Sequence, residues 1–471
     1  MTPAPGVIST IGDDILAQAI DSDETPFVVG LSQKGSVTEP TLITSNAKVE
    51  PLLGTRQSWN PTNDWFETSF REGPTAAVAH YFIRAVGPAH KSASKKLVDG
   101  VTDVLEAVAV SPGEWGNDID VAIVAGVTGG TFHVTVSYLD VLKEKSPELA
   151  DIAAAVAWAS SSSYITLKAL GATDPDVQSV ALAGGDDDRE NVTAEVLAKA
   201  LALFTEDLGF GPVAAPGYTT EAVHEVVMAH CKATKRVPAL DGVDSADEAD
   251  LIGDAGALRA LEGNKQTAVL APWEIAPGLT EGTTRTVPPS ARFVGQLARV
   301  GLQTGNPNQP AAGDLGKAQF VIGLTQTYDE EQRKALNEAG VIVSIIDEGK
   351  PTTFGWRTLA DPVTEKAWLA LSNARTALLA ASKARKVLKR YMFKQLDGEG
   401  ETRGKAEGAI INEVHAPLRA VRALYASSVT VTQEINPDDG SVGKLIANQV
   451  LQPTKFSEVI ELTTVVSNES V

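Results

Sequence analysis

Between residues 193 and 240 the chain reads TAEVLAKALALF (193–204), GPVAA (211–215), TEAVHEVVMAHCK (220–232) and RVPAL (236–240). The first and third stretches have helix length; the second and fourth are short apolar runs of strand length. The same order returns at Glu330 to Ala339 followed by Val341 to Ile346. Helices alternating with short apolar strands from about residue 150 to 345 predict an α/β unit with a largely parallel sheet.

Upstream the pattern changes. Residues 1 to about 25 mix Pro3, Pro5 and Gly6 with Asp21, Asp23 and Glu24, which predicts an extended arm. Phe27 to Gly30 predicts a strand, Asn63 to Phe70 a helix, and Tyr81 to Val86 a second strand. Val104 to Val110, Ile119 to Val124 and Phe132 to Tyr138 are β-branched runs separated by Gly and Pro clusters, so the stretch from 97 to about 140 is β-rich.

Downstream, a long helix is predicted from Thr364 to Gln395, then a glycine-rich break and a shorter helix reaching Tyr425, which Pro417 starts or kinks. Three strands close the reading: Val429 to Ile435, Lys444 to Leu451 and Glu458 to Val466. The chain shows no internal repeat.

At 471 residues, two or three domains are expected. Hydrophobic residues at 43% and charged ones at 21% are the proportions of a soluble globular protein. No apolar run approaches the roughly 18 residues of a membrane helix, so no membrane insertion is expected. Met1 to Gly6 carry no basic stretch ahead of an apolar segment, which predicts a protein made and kept in the cytosol. The net charge of −20 disfavours direct binding to nucleic acid, whose phosphates select basic surfaces. Cys231 is the only cysteine, so an intrachain disulfide and a multi-cysteine zinc site are excluded.

The candidates for chemistry are sparse. His224-Glu225 and His230 resemble the zinc motif H-E-x-x-H, but the second histidine stands six residues on and so lies around the helix from the first. Gly184-Gly185-Asp186-Asp187-Asp188 clusters carboxylates that hard cations favour, without the alternating spacing of a calcium loop; a solvated turn before a helix explains it. There is no phosphate-binding G-x-x-x-x-G-K-[ST] and no G-x-S-x-G elbow. No catalytic residue, metal or cofactor is assigned.

One charge pattern stands out. At 100° per residue, Arg375, Lys383, Lys386, Arg390 and Lys394 fall within an arc of about 100°. Ala367, Leu371, Ala374, Leu378, Ala381, Leu388 and Met392 occupy a separate arc. One stripe is expected to pack inward and the other to present cations to an acidic partner or to solvent.

Several stretches resemble, in order, the tail sheath family of contractile phages. Pro5-Gly6-Val7-Ile8 is similar to its P-G-V-Y opening, with Ile8 in place of tyrosine. Phe27-Val28-Val29-Gly30, Lys34-Gly35, Pro40, Ile43-Thr44-Ser45 and Leu53-Gly54 follow its next passage. Phe70-Arg71-Glu72-Gly73 with Arg84-Ala85-Val86-Gly87 and Ser111-Pro112-Gly113-Glu114-Trp115-Gly116-Asn117 continue it. Pro272-Trp273, Val287-Pro288-Pro289-Ser290, Ala298-Arg299 and Asn306-Pro307 to Pro310-Ala311 resemble the run "PW…vPPS…A-R…PA". Asn337 to Val341 and Gly355-Trp356-Arg357-Thr358-Leu359 complete a colinear match over nearly the whole chain.

The resemblance implies a multidomain α/β and α+β fold. A subtilisin-like α/β domain (26–96 and 161–355) would carry an inserted β-sandwich (97–160). A C-terminal α+β domain (356–455) would lie next to the inner tube, with arms at 1–25 and 456–471. The likeness to subtilisin is one of architecture only, since no Asp/His/Ser set is found. The function implied is that of a non-enzymatic sheath subunit in the virion, assembled in the host cytoplasm. Its partners would be further copies in stacked hexameric rings, the tail tube protein, and baseplate and tail terminator proteins. Pro5, Gly6, Val7 and Ile8 in one arm and Ile460, Leu462, Thr464 and Val466 in the other would add strands to neighbouring copies. Arg375, Lys383, Lys386, Arg390 and Lys394 would face the tube, with the helix around Arg419 and Arg422 as the alternative surface. A pyocin-like or type VI injection apparatus shares the architecture. An acidic α/β hydrolase or metal-dependent enzyme using Asp186 to Asp188 is the reading from another class.

Overall fold

The computed structural model describes residues 25–74, 78–396, 398–435 and 443–458. The chain first lays down β1 (Phe27–Gly30), β2 (Thr41–Ile43), α1 (Val49–Leu53), α2 (Thr62–Glu72) and β3 (His80–Arg84). It then leaves this sheet after Arg84 and does not rejoin it until Pro212. β4 (Ser94–Asp99), β5 (Thr102–Ala109), β6 (Ile119–Ala125), β7 (Phe132–Tyr138), β8 (Val141–Lys145), α3 (Ile152–Ala159), β9 (Ile165–Ala169) and β10 (Gln178–Ala181) form an inserted unit.

The insert contains two antiparallel sheets, β4-β5-β9 and β10-β6-β7-β8. β7 shows why it folds: Phe132, Val134, Val136 and Tyr138 are buried while His133, Thr135 and Ser137 are not, the period of two that a one-sided sheet requires. Inward side chains of both sheets, with Trp115 and Ala155, make one core running from Ala93 to Leu182, so the unit is a β-sandwich. The expected span of 97–160 is too short. It omits β9 and β10, each of which completes a sheet, because their few residues are embedded in Ser-, Gly- and Asp-rich sequence that reads as loop.

Returning, the chain forms α4 (Ala194–Leu201), β11 (Pro212–Ala214), α5 (Glu221–Thr234), β12 (Val237–Asp241), α6 (Glu248–Arg259), β13 (Ala268–Ala271), β14 (Glu274–Pro277), β15 (Thr284–Val287), α7 (Pro289–Thr304), β16 (Gly323–Leu324), α8 (Glu330–Ala339), β17 (Val341–Asp347) and β18 (Lys350–Thr353). The main sheet has the order β18-β17-β13-β12-β11-β1-β3-β2. The six inner strands run parallel, and an antiparallel strand closes each edge.

Alternate residues of the inner strands serve two cores. Val28, Ala214, Ala239, Leu270 and Ile342 face a cluster with α2 and α7. Phe27, Val29, Val213, Leu240, Val269 and Val343 face a cluster with α4, α5, α6 and α8. Both faces are thus covered, which is why these strands read as continuous apolar runs. Each fully buried aliphatic side chain contributes about 1.5–3 kcal/mol.

The C-terminal region comprises α9 (Leu371–Leu388), α10 (Glu401–Ile410), α11 (Ala416–Ala420) and a hairpin of β19 (Leu424–Glu434) and β20 (Lys444–Pro453). Its Leu378, Ile410, Leu418, Val429 and Val431 join Trp65, Val294 and Leu297 in one cluster, so this region is a layer stacked on the α/β domain. α9 is shorter than the expected helix from Thr364 to Gln395. Thr358 N–H donates to the Leu369 carbonyl and Leu371 N–H to that of Trp356, which holds the segment before Leu371 against 356–358. Between α10 and α11 a π turn (Ile411–His415) precedes Pro417 and accommodates a residue that has no N–H to give. The helical run stops at Ala420, because Leu424, Tyr425 and the residues after them pair in the hairpin. Among the described residues no helix is long and apolar enough to cross a membrane.

Candidate functional site

The hairpin closes the C-terminal layer. β19 and β20 pair antiparallel from Leu424↔Pro453 to Glu434↔Lys444, with an irregularity between Leu424 and Ala426. One face is seated: Leu424, Val429 and Val431 are buried, and Leu445, Ala447 and Leu451 pack against the same core. The other face carries Tyr425, which is exposed. This two-stranded sheet pairs with no other described strand; on the β19 side Val431 N–H donates to Glu407 Oε2 of α10 at 3.0 Å, and the remaining outer backbone N–H and C=O groups have no strand beside them. Such edges are templates for strand addition.

After β20 the chain is pinned to the α/β domain. Thr454 N–H donates to the Ala423 carbonyl at 3.1 Å, and Asn308 Nδ2 donates to the Thr454 carbonyl at 2.6 Å. Phe456 packs on the core. Arg357 grips Glu458 with Nε at 2.8 Å and Nη2 at 3.0 Å, and Asn337 Nδ2 adds a bond of 2.9 Å. Against burial, which raises it, these donors hold the Glu458 carboxyl below the ordinary range. Glu458 is therefore an ion-paired bend and not the first residue of a strand. Pro5, Gly6, Val7, Ile8, Ile460, Leu462, Thr464 and Val466 lie outside the described residues.

The cationic stripe of α9 comes apart in three dimensions. Arg375 is 2% exposed and buried inside the layer, so it presents no charge to an external partner. The apolar arc is wider than its small alanines suggest, and Ser372, Thr376 and Arg375 are enclosed with it. Lys383 is half-buried and Lys386 exposed. Arg390 is exposed but bonded through Nη2 to Glu413 at 2.6 Å. The helix ends at Leu388 and a 3₁₀ turn, Lys389–Tyr391, follows, so the helical angle no longer places Met392 or Lys394. Met392, expected inside, is exposed; Lys394 is exposed off the helix.

A second cationic pair, missed in the sequence, docks inward. Arg385 Nη2 lies 2.5 Å from Glu206 Oε2, and Lys389 is bonded to Asp207. Lys235 Nζ also reaches Glu206, at 2.7 Å. These cations lower the carboxyl pKa values of both Glu206 and Asp207, chiefly through the side-chain bonds from Lys235 and Lys389. The four-residue spacing of Arg385 and Lys389 was the available signal; their acidic partners, some 180 residues away, left none. Arg419 and Arg422 are exposed.

The acidic cluster proves to be a joint. Asp187 is buried and ion-paired to buried Arg84, while Asp188 Oδ2 accepts from Ala89 N–H at 2.8 Å. The histidines of α5 diverge: His224 Nε2 meets the Tyr218 carbonyl at 3.0 Å, and His230 Nε2 lies 3.3 Å from Arg236 Nη1. Among the described residues no group of three or more His, Cys, Asp or Glu is placed to hold a metal ion.

Charges buried at the ends of the main sheet were also unforeseen. Glu274 is fully buried and bonded to Arg292, whose other nitrogens reach Gln296, Thr353, Ser344 and the Gly316 carbonyl. Burial pushes the Glu274 carboxyl up to about 7 despite Arg292. Glu72 accepts from the backbone N–H groups of Gln319, Phe320 and Val321 at 2.7–2.9 Å. Asp241 accepts from Ser290 N–H at 2.8 Å and Gly217 N–H at 3.1 Å, and burial raises it to about 6. Ser290 Oγ accepts from Trp65 Nε1, and no histidine is bonded to it among the described residues. These groups fasten loops to the sheet.

No protein-family model and no curated protein matches the sequence. Solved structures do match the fold. A sheath tail protein from Desulfitobacterium hafniense superposes with a TM-score of 0.60 over 95% of this chain and 100% of its own, at 15% identity. One from Listeria innocua gives 0.63 over 92% and 97%, at 13% identity. The helical sheath of the anti-feeding prophage in its contracted state gives 0.55 over 99% of both chains, at 15% identity. The β-sandwich insert and the C-terminal layer fall within the matched length, and the chain has the fold of tail sheath proteins.

Proposed function

We propose that the chain is the sheath subunit of a contractile phage tail. Copies polymerise as stacked hexameric rings around an inner tube, and shortening of the stack drives the tube through the host envelope for genome delivery. The observation that supports this most is the extent of the fold match, which takes in 92% to 99% of the chain in three sheath structures. The α/β domain is read as subtilisin-like in architecture, the particle as a virion assembled in host cytoplasm, and the protein as non-enzymatic.

Two features support assembly. The β19–β20 hairpin, which no other described strand pairs with, suits strands donated by other copies, and segments 1–24 and 459–471 are the proposed donors through Pro5 to Ile8 and Ile460 to Val466. Added strands form backbone hydrogen bonds that survive rigid-body rotation, and head-to-tail addition does not close on itself, so a helical polymer results. For the tube, Lys386 and Lys394 remain outward, with Arg419 on the neighbouring helix and Arg422 in the turn after it; Arg375 is withdrawn. Baseplate and terminator proteins would cap the stack.

A second reading, the sheath of a contractile injection system, draws support from the anti-feeding prophage structures. Negative-stain microscopy of the purified full chain, alone and with its tube protein, is the deciding experiment. Ribbed tubular polymers are expected, and their loss on deletion of residues 1–24. A chain that stays monomeric with intact termini and tube supplied would end the proposal.

A further inference from the structure

The chain enters and leaves the β-sandwich side by side, where Lys91 bridges to Asp186 and Ser94 to Ala183. Arg84, at the end of β3, is buried at this crossing. Its guanidinium donates to the carbonyls of Ser32 at 2.8 Å, Gln33 at 3.0 Å and Pro112 at 2.5 Å, and it is ion-paired to Asp187. Gly113, with φ +123, leaves room for both charged groups; a Cβ there would strike each of them. A buried contact with four partners is a fixed joint, since opening it strands charges away from water.

A second contact on the same interface has the opposite character. Lys34, in the connection from β1 to β2, is anchored by its own N–H on the Leu53 carbonyl at 3.0 Å. Its side chain crosses to the sandwich and ends among three rings. Nζ is 5.1 Å from the Tyr164 centroid, 5.6 Å from Trp115 and 6.0 Å from Tyr138. The rings hold one another, with centroids 5.9–6.4 Å apart, and come from three places in the sandwich: ahead of β6, at the end of β7 and ahead of β9. Among the described residues no acceptor is hydrogen-bonded to this ammonium. Burial, then Lys143, pulls its pKa down.

Beside the rings lies a cleft of about 570 Å³, lined by Lys34, Glu50, Arg56, Lys143, Tyr138 and Tyr164. The cleft is open beside the ammonium, and Glu50, whose charge already acts on Lys34, lies on its lining. Ring quadrupoles hold a cation without a fixed direction and more weakly than a buried ion pair does, so this contact can open where the Arg84 joint cannot.

We propose that Lys34 is a cation–π latch that holds the inserted β-sandwich in one orientation on the α/β domain, with Arg84–Asp187 as the pivot about which the sandwich turns when the latch opens. The inference concerns the single chain and is independent of the sheath reading.

Hydrogen–deuterium exchange of the full-length protein tests it, comparing wild type with Lys34→Met and Lys34→Arg. Met keeps the length of the stem and removes the charge; Arg keeps the charge. Lys34→Met is expected to speed exchange about fivefold in residues 31–36, 138–143 and 160–166, and Lys34→Arg to stay within about twofold of wild type. β6 and β12 are expected to exchange as in wild type in both variants. Wild-type exchange of Lys34→Met in all three segments would overturn the latch. Equal losses in Met and Arg would overturn it too, because shape and not charge would be holding the contact. Loss spreading through β6 and β7 would do the same, making Lys34 a requirement for folding the sandwich.

Discussion

Arg357 holds Glu458 bidentately, through Nε at 2.8 Å and Nη2 at 3.0 Å, and so fixes the point from which the C-terminal segment leaves the α/β domain. Both side chains are about a third exposed, so solvent screens the pair and its contribution to stability is at most about 1 kcal/mol. Its consequence is positional. Arg357→Ala is expected to leave the melting temperature nearly unchanged, to speed exchange at 454–458, and to lower the yield of polymer.

The same pair makes a pH prediction. The Glu458 carboxyl is depressed below its ordinary 4.5, so its stabilising share is present above that value and lost as the pH falls through the lower, folded-state value. The difference in melting temperature between wild type and Glu458→Gln is expected to be small but measurable at pH 7. It should shrink as the pH falls below 4.5 and vanish once the folded-state value has been passed.

Glu274 behaves in the opposite sense. Its folded-state pKa is raised to about 7, so its share of stability is intact below 4.5 and declines as the pH rises towards 7. Glu274→Gln is expected to flatten that limb of the stability–pH curve. Arg292→Met, which strands a buried carboxylate, is expected to cost about 3–5 kcal/mol at pH 8. Denaturant titrations across pH check both.

Two glycines separate crowding from backbone strain. Gly340, which ends α8 at φ +87, would place a Cβ 2.5 Å from the Thr358 carbonyl oxygen; Gly349, at φ +79, would meet nothing within 4 Å. Gly349→Ala is expected to cost about 1 kcal/mol for the left-handed backbone alone. Gly340→Ala carries that cost plus a backbone clash and is expected to lose about 2–4 kcal/mol. Chemical unfolding of the two variants measures the difference.

The outward cations give a test of tube contact. Neutralising Lys386 and Lys394 together is expected to weaken loading onto tubes and to make it less dependent on salt, with no change in melting temperature. Neutralising Arg385 and Lys389 is instead expected to raise exchange around Glu206 and Asp207. Wild-type loading by the Lys386/Lys394 variant would remove these residues from the contact.

What was legible in the sequence was local. β7 follows the expected Phe132 to Tyr138 because its alternation is complete, and α8 follows Glu330 to Ala339 because Asp329 and Gln332 close a capping box at one end and Gly340 stops the other. The alternation of helix and strand settled that the sheet is largely parallel, since each crossover must return the chain to the same end. Only the tertiary structure decided which cations of α9 face solvent, that Asp187 belongs to a joint, and that β9 and β10 complete the insert. Those outcomes depend on partners far away in the chain: Glu206 for Arg385, Arg84 for Asp187, β5 for β9. Periodicity reports how a segment relates to one burying surface and does not name that surface, so a helical wheel puts Arg375 on a face and only packing shows that the face is covered.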